Sequence, residues 1–450
     1  MGAARRALVG LVVAGAALGV AGPAVAKDFV VTKRGDPPPK ACKPRDCSLR
    51  EAVIAANKRP GADRVILPQA RAYNLRIANT GPTGEDAARE GDLDVTGPLA
   101  ILHPGRGKAR VSANGIDRAL EVHDGAPTTV RRLVITGGRL EAGADPRGAG
   151  IRTTSNLTLV GSTIRGNHAV ADDGGGIAAH GGTVRLRRTA VTGNRTGGSA
   201  GAIDVGLSVE GLVLARSRLS GNLADFGGAM YIHNGDRVRI RASTIANNRA
   251  DDIGGIYISE GQVDLRIVSS TLSGNRGTDE GGALHAFRGN VTITNSTITG
   301  NASGAEGGGI YADDGTVTLN AVTVTRNVAR TGGGLYRDPS PSGSVTVRNS
   351  LIGLNTASIA GPDCAGEPFT SLGSNLLSTG SGCAGFDGPT DFVRPNPRLG
   401  KLRNNGGPTK TIALLKRSPA IGKAHRPSAP KRDQRGRKRD RKPDIGAYER

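Results

Sequence analysis

Short apolar stretches that alternate with polar residues recur along most of this chain. In residues 291–301, VTITNSTITGN, the apolar residues Val291, Ile293 and Ile298 stand among polar neighbours. A period of two, many β-branched residues and breaks at Gly, Asn or Asp are typical of short strands joined by turns. The same pattern occurs at residues 157–167, 184–194, 212–222, 238–248, 263–275 and 317–327. No helical periodicity interrupts this region, which predicts an all-β structure.

The strand pattern repeats at a nearly constant spacing. An Asn column has separations of 26 to 28 residues and consists of Asn167, Asn194, Asn222, Asn248, Asn275, Asn301, Asn327 and Asn355. An apolar column, each member just after a Gly-rich pair, has separations of 25 to 28 and consists of Ile151, Ile177, Ile203, Met230, Ile256, Leu284, Ile310 and Leu335. Two columns with one period indicate a repeat architecture.

A unit of two or three short strands cannot bury its apolar face alone, so successive units must stack. Parallel crossovers are right-handed in nearly all cases. The repeat therefore predicts a right-handed parallel β-helix of about ten coils between residues 92 and 357. We expect the Asn column at a turn, where Asn tolerates the left-handed conformation and its amides bond up the stack.

The segment before the repeats differs from them. Residues 46–58, DCSLREAVIAANK, predict a helix that begins at Asp46 or Ser48. Its apolar face would consist of Leu49, Ala52, Val53 and Ala56. An open β-helix exposes strand edges at both ends, so we expect this short helix to cap one of them.

Several motifs resemble known families. Cys47-Ser48-Leu49-Arg50-Glu51-Ala52, followed by ADRVILP (62–68) and EGDLDVTG (90–97), resembles CSLREA-domain proteins. The repeats with GGAL (281–284) and GGGI (307–310) resemble those of Pmp-like (polymorphic outer-membrane protein-like) proteins. Near the end, the pieces NSLI (349–352), GSNL (373–376), NNGGPT (404–409), SPAI (418–421), DQRG (433–436) and DIGAYE (444–449) resemble the choice-of-anchor Q domain.

This resemblance implies an exported, surface-associated β-helix without an assigned chemistry. It divides the chain into an N-terminal cap (27–91), the repeats (92–357) and a C-terminal capping region with a basic tail (358–450). An anchoring segment often follows the last motif in that family, whereas this sequence ends at Arg450. We therefore expect release, or retention by charge.

The first residues predict export. Arg5 and Arg6 precede the apolar run 7–20, and Ala24-Val25-Ala26 is a cleavage signal of the A-x-A type. We predict a signal peptide at 1–26, no later transmembrane segment, and a secreted or cell-envelope location. An oxidising compartment favours the disulfides Cys42–Cys47 and Cys364–Cys383, although four cysteines allow three connectivities. No Cys/His cluster has zinc spacing.

The net charge of +21 suggests contact with anionic polymers such as acidic polysaccharide or envelope phosphate. Residues 423–442 hold ten Lys or Arg against two Asp, but no aromatic residues that could stack bases. We therefore expect no nucleic-acid partner, and we expect a monomer. A solvated basic surface without a partner is the plainer interpretation.

Two further columns are candidate sites. The position after the apolar column carries a Tyr/His stripe of Tyr231, Tyr257, His285, Tyr311 and Tyr336. An acidic column before the Gly pair contains Asp225, Asp252, Asp279 and Glu306, with Asp172 and Asp173 two coils earlier. The stripe should point outward and could grip a polysaccharide, or it could simply stabilise stacked strands. The acids could raise one another's pKa or bind Ca²⁺, or they could be ordinary turn residues.

Pectin-lyase-like β-helices include pectate lyases and polygalacturonases, which gather carboxylates on neighbouring coils. This sequence has no N-T-D or G-H-G motif, and no Ser/His/Asp or Cys/His nucleophile set is suggested. We assign no catalytic residue, no bound metal and no cofactor, and hypothesise an exported, non-enzymatic β-helix that binds a polysaccharide or surface partner. The alternatives are a lyase or glycoside hydrolase acting on acidic polysaccharide, and a purely structural envelope protein.

Overall fold

Three long parallel sheets wind together into a β-helix. The computed structural model describes residues 25–80, 86–141, 147–233, 237–340 and 342–450. Most of the predicted signal peptide, residues 1–24, lies outside the described residues. One helix, α1 (Leu49–Asn57), occurs in the described part of the chain. Within those same ranges no helix is long and apolar enough to span a membrane.

Each of the three sheets receives one strand from nearly every coil. Sheet A contains Asp28–Val30, Asp63–Ile66, Leu99–Leu102, Thr128–Arg131, Leu157–Val160, Gly182–Arg187, Val209–Ala215, Val238–Arg241, Asp264–Val268, Asn290–Thr294, Thr316–Asn320, Ser344–Arg348 and Thr370–Ser371. Sheet B contains Asp94–Val95, Leu120–Val122, Ile151–Thr153, Ile177–Ala179, Ile203–Val205, Met230–Ile232, Ile256–Ile258, Leu284–Ala286, Ile310–Ala312, Leu335–Arg337 and Cys364–Gly366. Sheet C contains Ala72–Asn74, Ala109–Ser112, Leu133–Thr136, Thr163–Arg165, Ala190–Thr192, Arg218–Ser220, Thr244–Ala246, Thr271–Ser273, Thr297–Thr299, Thr323–Thr325, Leu351–Gly353, Leu376–Leu377 and Phe392–Val393.

Smaller sheets complete the structure. A narrow parallel sheet contains Arg139–Leu140, His168–Ala169, Arg195–Thr196, Leu223–Ala224, Arg249–Ala250 and Arg276–Gly277. Val328–Thr331 pairs in parallel with Thr356–Ala360. Leu399–Arg403 forms an antiparallel pair with Thr411–Leu414.

The parallel β-helix predicted from the repeat is confirmed. Equivalent residues of successive coils pair in register, so that Ile256 of the apolar column lies beside Leu284 of the next coil. Val291, Ile293 and Ile298 point inward with at most 1% of their surface exposed, as their alternation with polar residues predicts. The stacked strands begin at Asp28 and end at Val393, and therefore extend on both sides of residues 92–357.

The Asn column forms a buried ladder of hydrogen bonds. In each coil the Asn Nδ2 donates to the Oδ1 of the next Asn, as from Asn248 to Asn275 at 2.9 Å and from Asn275 to Asn301 at 2.9 Å. At the last coil the acceptor is the Asp363 carboxylate, 3.1 Å from the Asn355 Nδ2. The predicted bonding up the stack is thus confirmed.

The expected left-handed conformation of the ladder Asn residues is wrong. The residue just before each of them has the positive φ, namely Gly166, Gly193, Gly221, Asn247, Gly274, Gly300, Arg326 and Leu354. Glycine fills most of these positions because it adopts this conformation without steric cost. The Asn side chain can then turn inward and bond along the stack.

The N-terminal helix α1 begins after Ser48 and packs against the first coils. Ser48 Oγ accepts a bond from the Glu51 amide, and the Ser48 amide donates to the Glu51 carboxylate at 2.7 Å. The apolar face predicted for this helix is buried. Arg50 is fully buried as well and makes a two-pronged ion pair with Asp36, with both N–O distances 2.9 Å. Residues of the CSLREA motif thus have structural contacts.

The C-terminal segment turns back along the outer side of sheet C. Gln434 is buried and bonds to Thr297 Oγ1 at 2.6 Å, more than a hundred residues earlier in the chain. Arg435 lies 3.6 Å from the centre of the Tyr448 ring and pairs with Asp433, and Arg439 pairs with Glu449 at 2.9 Å. These two arginines are buried, so part of the basic tail is internally neutralised.

Both disulfides expected from the sequence are present, Cys42–Cys47 and Cys364–Cys383. The first lies just before α1, and the second joins the last strand of sheet B to the loop between the last two strands of sheet C. Of the three possible connectivities, the structure thus contains the one that pairs near neighbours.

Candidate functional site

The outer face of sheet B carries one continuous column of polar and aromatic side chains. Tyr231, Tyr257 and His285 are register partners on successive coils, followed by Tyr311 and Tyr336. Since Met230, Ile256 and Leu284 point inward, their following residues must point outward. The structure thus brings together all five residues of the predicted Tyr/His stripe.

The rings of the stripe contact one another along the stack. Ring centres are 5.0 Å apart for Tyr231 and Tyr257, 5.0 Å for Tyr257 and His285, and 4.3 Å for His285 and Tyr311. The last pair, Tyr311 and Tyr336, is separated by 5.2 Å. Tilted and edge-to-face rings at these distances attract one another, so the stripe also stabilises the stack.

The stripe is less exposed than its outward direction suggests. Tyr231, Tyr257 and Tyr336 are half-buried, whereas His285 and Tyr311 keep only 4% and 5% of their surface exposed. Neighbouring rings cover His285, and burial lowers the pKa of its imidazole to about 3. A ligand could reach the three half-buried tyrosines but not the two residues at the centre.

One side of the stripe is lined by part of the acidic column. Asp252 is half-buried, and burial raises its pKa, with the Asp279 carboxylate adding to the effect. Asp279 itself is exposed, and the adjacent Glu280 faces the stripe with its Oε2 3.6 Å from His285 Nδ1. Burial, together with nearby carboxylates including Asp252, raises the Glu280 pKa to about 7.

The rest of the acidic column lies at the edge of this site. Asp225 and Glu306 are half-buried, and burial raises the pKa of Asp225. Among the described residues, three groups of acidic and His side chains bring their ligand atoms within 4.8 Å of one another, and none includes Asp225, Asp252, Asp279 or Glu306, although Asp173, two coils earlier, belongs to one of them. The Ca²⁺ binding considered for that column therefore has no close cluster of ligands there.

The other side of the stripe is acidic as well. Burial raises the Asp313 pKa to about 6, with Asp338 adding to the effect and Arg288 opposing it. The Tyr311 hydroxyl donates a 2.7 Å hydrogen bond to the Asp338 carboxylate. In a protein with a net charge of +21, the face around the stripe thus collects negative charge on both sides.

Sequence reasoning missed several residues of this face. Asp204 pairs with Tyr231 and so occupies the stripe position one coil earlier. His180, His233, Asp313 and Asp338 each follow the last residue of a sheet B strand. Alignment of these two positions through every coil would have revealed both sets, because the repeat keeps the register constant.

Asp204 and two histidines form a separate cluster at the upstream end of the stripe. Asp204 is fully buried, with Oδ1 3.2 Å from His233 Nε2 and Oδ2 3.5 Å from His180 Nε2. The rings of His233 and Tyr231 are 4.3 Å apart. Burial raises the Asp204 pKa to about 6, against the opposing effect of His233.

The fold and the face define a right-handed parallel β-helix with an acidic aromatic stripe on one sheet. The model of the family described as "Right handed beta helix region" matches residues 147–329. Among solved structures, the chain is similar to the one titled "Crystal structure of pectate lyase Pel9A", with 15% identity, 95% of this chain and 98% of that chain covered, and a TM-score of 0.46. A search of curated proteins finds no match.

Proposed function

We propose that the protein is exported and binds an extended polysaccharide along the Tyr/His stripe. The observation that carries this proposal is the run of half-buried tyrosines along the stack axis. Tyr231, Tyr257 and Tyr336 lie in one column of the same sheet face, so an extended polymer could contact them in sequence. Sugar rings pack their apolar faces on aromatic side chains, which combine a large apolar area with low flexibility.

Charge favours a neutral or amino-sugar polysaccharide over an acidic one. The carboxyls of Glu280, Asp252 and Asp313 all have raised pKa values because burial and neighbouring acids disfavour their negative charge. A polyuronate would add further negative charge to the same face. This argument changes the partner expected from the net charge, since acidic polymers fit the basic surfaces elsewhere on the molecule.

The basic surfaces support retention in the cell envelope. Arg187, Arg188, Arg216 and Arg241 line a shallow depression beside the C-terminal segment. Clustered arginines attract anionic polymers in a salt-dependent way. The two disulfides, the predicted signal peptide and the resemblance to CSLREA and choice-of-anchor Q proteins all support export.

A glycan panel with the purified mature chain tests the proposal. We would measure binding to neutral glucans, chitin-type oligosaccharides, chitosan and polygalacturonate, together with release of reducing or unsaturated ends. Tyr257→Ala and Tyr336→Ala should each weaken binding at least tenfold, whereas Phe226→Ala, an exposed aromatic residue outside the stripe, should not. Binding that prefers polygalacturonate and disappears in high salt would instead point to the basic surfaces.

A second candidate function, glycoside hydrolysis, is favoured by Glu280. A carboxyl with a pKa of about 7 is suited to act as a general acid when an ionised carboxylate lies nearby. If product forms, Glu280→Gln should abolish product release while glycan binding remains. If nothing binds and no product forms, the stripe serves only to stabilise the stack, and the protein is a structural one.

A further inference from the structure

In the described ranges of the chain, three groups of acidic and His side chains have ligand atoms close enough to bind a metal ion. Two of these groups share Asp94, one with Asp86 and His123 and the other with Asp92 and Glu121, and both have cationic partners. Asp94 accepts bonds from His123 Nε2 at 2.9 Å and from the Ala88 amide at 2.8 Å. Arg118 pairs with Asp92 at 3.2 Å and with Glu121 at 2.6 Å. These two groups have hydrogen bonds and opposite charges that explain their positions without an ion.

The third group, Asp173, Asp204 and His233, is different. Asp204 is completely buried, and neither of its carboxylate oxygens makes a hydrogen bond within the described part of the chain. A buried carboxylate without hydrogen bonds is costly, and nearly all such groups in native proteins are satisfied by a partner, a water or an ion. A cation is the partner of opposite charge that these two carboxylate oxygens could bind.

The distances between the side chains also suit the coordination shell of one ion. His233 Nε2 is 3.2 Å from Asp204 Oδ1, and His180 Nε2 is 3.5 Å from Asp204 Oδ2. Ligands at 2.0–2.1 Å from a tetrahedral ion lie roughly 3.3 Å from one another. Asp173 and His180 flank one strand of sheet B, and Asp204 and His233 belong to the next two coils, so the stack brings the four side chains to one end of the stripe.

We propose that Asp173, Asp204, His180 and His233 bind one divalent transition-metal ion at the upstream end of the stripe. Imidazole nitrogens together with carboxylates suit Zn²⁺ and similar ions, whereas Ca²⁺ takes oxygen ligands. The nearby Arg147 supplies positive charge of its own, so the ion must compete with this cation. This proposal does not depend on the proposed polysaccharide binding.

The test is a titration of the chelator-treated, dialysed mature chain with Zn²⁺, Mn²⁺ and Ca²⁺ by calorimetry. We expect one Zn²⁺ per chain, weaker Mn²⁺ binding and no Ca²⁺ binding at this site. Asp204→Asn and His233→Gln should each weaken Zn²⁺ binding by at least a hundredfold, and His180→Gln by less. His168→Gln is the matched control, because His168 lies on the narrow sheet near Arg139 and Arg195 and should leave binding unchanged.

The absorption of the Co²⁺ form and the pH dependence of Zn²⁺ affinity test the proposal further. Substitution by Co²⁺ should give the visible absorption of a tetrahedral nitrogen–oxygen site in the wild type and not in His233→Gln. Because histidine ligands must be neutral, Zn²⁺ affinity should fall below pH 6. Lack of stoichiometric binding, or equal affinity in the wild type and His233→Gln, would overturn the proposal. Since His233 is partly exposed, its variant should fold even if Asp204→Asn does not.

Discussion

The Asn ladder and the outer column of sheet B follow the same stack of coils, but their polar groups differ in whether they are hydrogen-bonded. In the Asn ladder every amide donates to the next coil, with Nδ2–Oδ1 distances between 2.8 and 3.1 Å from Asn167 onward. On the outer face of sheet B, the buried ring nitrogens of His285 and both oxygens of Asp204 have no hydrogen bond among the described residues. Carboxyls beside that column also have raised pKa values.

The comparison shows that repetition alone does not mark a functional site. Both columns follow the same register, but the Asn ladder satisfies its own polar groups and has none left for a ligand. The sheet B face retains acids whose charge is disfavoured and rings that are half-exposed. A repeated position is therefore a candidate for binding when its polar groups are not satisfied along the stack.

The largest expected effect comes from breaking the Asn ladder at its centre. Asn275→Ala removes the acceptor of the Asn248 amide and Nδ2, which lie 3.1 and 2.9 Å from Asn275 Oδ1. Each buried donor left without a partner costs about 1–3 kcal/mol, so for two donors we expect a loss of about 2–6 kcal/mol in the free energy of unfolding. Urea denaturation measures it, with exposed Asn404→Ala as control. A loss under about 1 kcal/mol would mean that water replaces the amide.

A smaller effect is expected on the sheet B face. Tyr257→Ala removes two ring contacts at 5.0 Å from a half-buried position. We expect a loss of about 1–3 kcal/mol in the free energy of unfolding, since each of the two aromatic pairs contributes about 0.5–1.5 kcal/mol. The same variant should lose glycan binding. A destabilisation as large as that of Asn275→Ala, without any change in binding, would make the stripe a structural ladder.

The fold could be predicted from the sequence because the repeat gives each residue an equivalent position in the neighbouring coils. The period assigned Ile256 and Leu284 to the core and the Asn column to a bonded turn. It also brought Tyr231, Tyr257 and Tyr311 to one face. The period could not predict the exposed fraction of each ring, because the burial of a ring depends on how the neighbouring rings tilt.

The acids illustrate the second limit. Asp279 shares a sequence column with Asp252, but in the folded chain Glu280 faces His285 while Asp279 is exposed. Spacing varies by one or two residues between coils, so an alignment at a turn is less certain than one within a strand. Asp204 lies within a strand and could have been found from its register with Tyr231.

The backbone at the ladder turn offers a third, still smaller test. Gly300 has φ of 64°, and a Cβ there would meet nothing within 4 Å. Gly300→Ala therefore changes only the backbone preference, and we expect a loss of about 1 kcal/mol in urea denaturation. The control is Gly97→Ala, because Gly97 has equally open space without a left-handed φ and should be neutral or slightly stabilising. Equal effects at both sites would contradict this account of the turn.

The pH dependence of stability gives the most direct contrast between the columns. Glu280 has a pKa of about 7 in the folded chain against an ordinary value of 4.5, mainly because of burial. Between these values the folded chain keeps a proton that the unfolded chain has released. Its contribution to stability is therefore complete below about pH 4.5 and is lost as the pH rises through about 7.

Glu280→Gln should remove this contribution, because the amide does not titrate. The wild type should lose stability more steeply than Glu280→Gln as the pH rises from about 4.5 to about 7, in denaturation at a series of pH values. His285 acts in the opposite direction, since its pKa is lowered to about 3 and its contribution is lost as the pH falls. It is present in both proteins and largely cancels in the difference. Exposed Glu210→Gln serves as control. Identical slopes in the wild type and Glu280→Gln would mean that this carboxyl is solvated like any surface acid, and the hydrolytic alternative would lose its general acid.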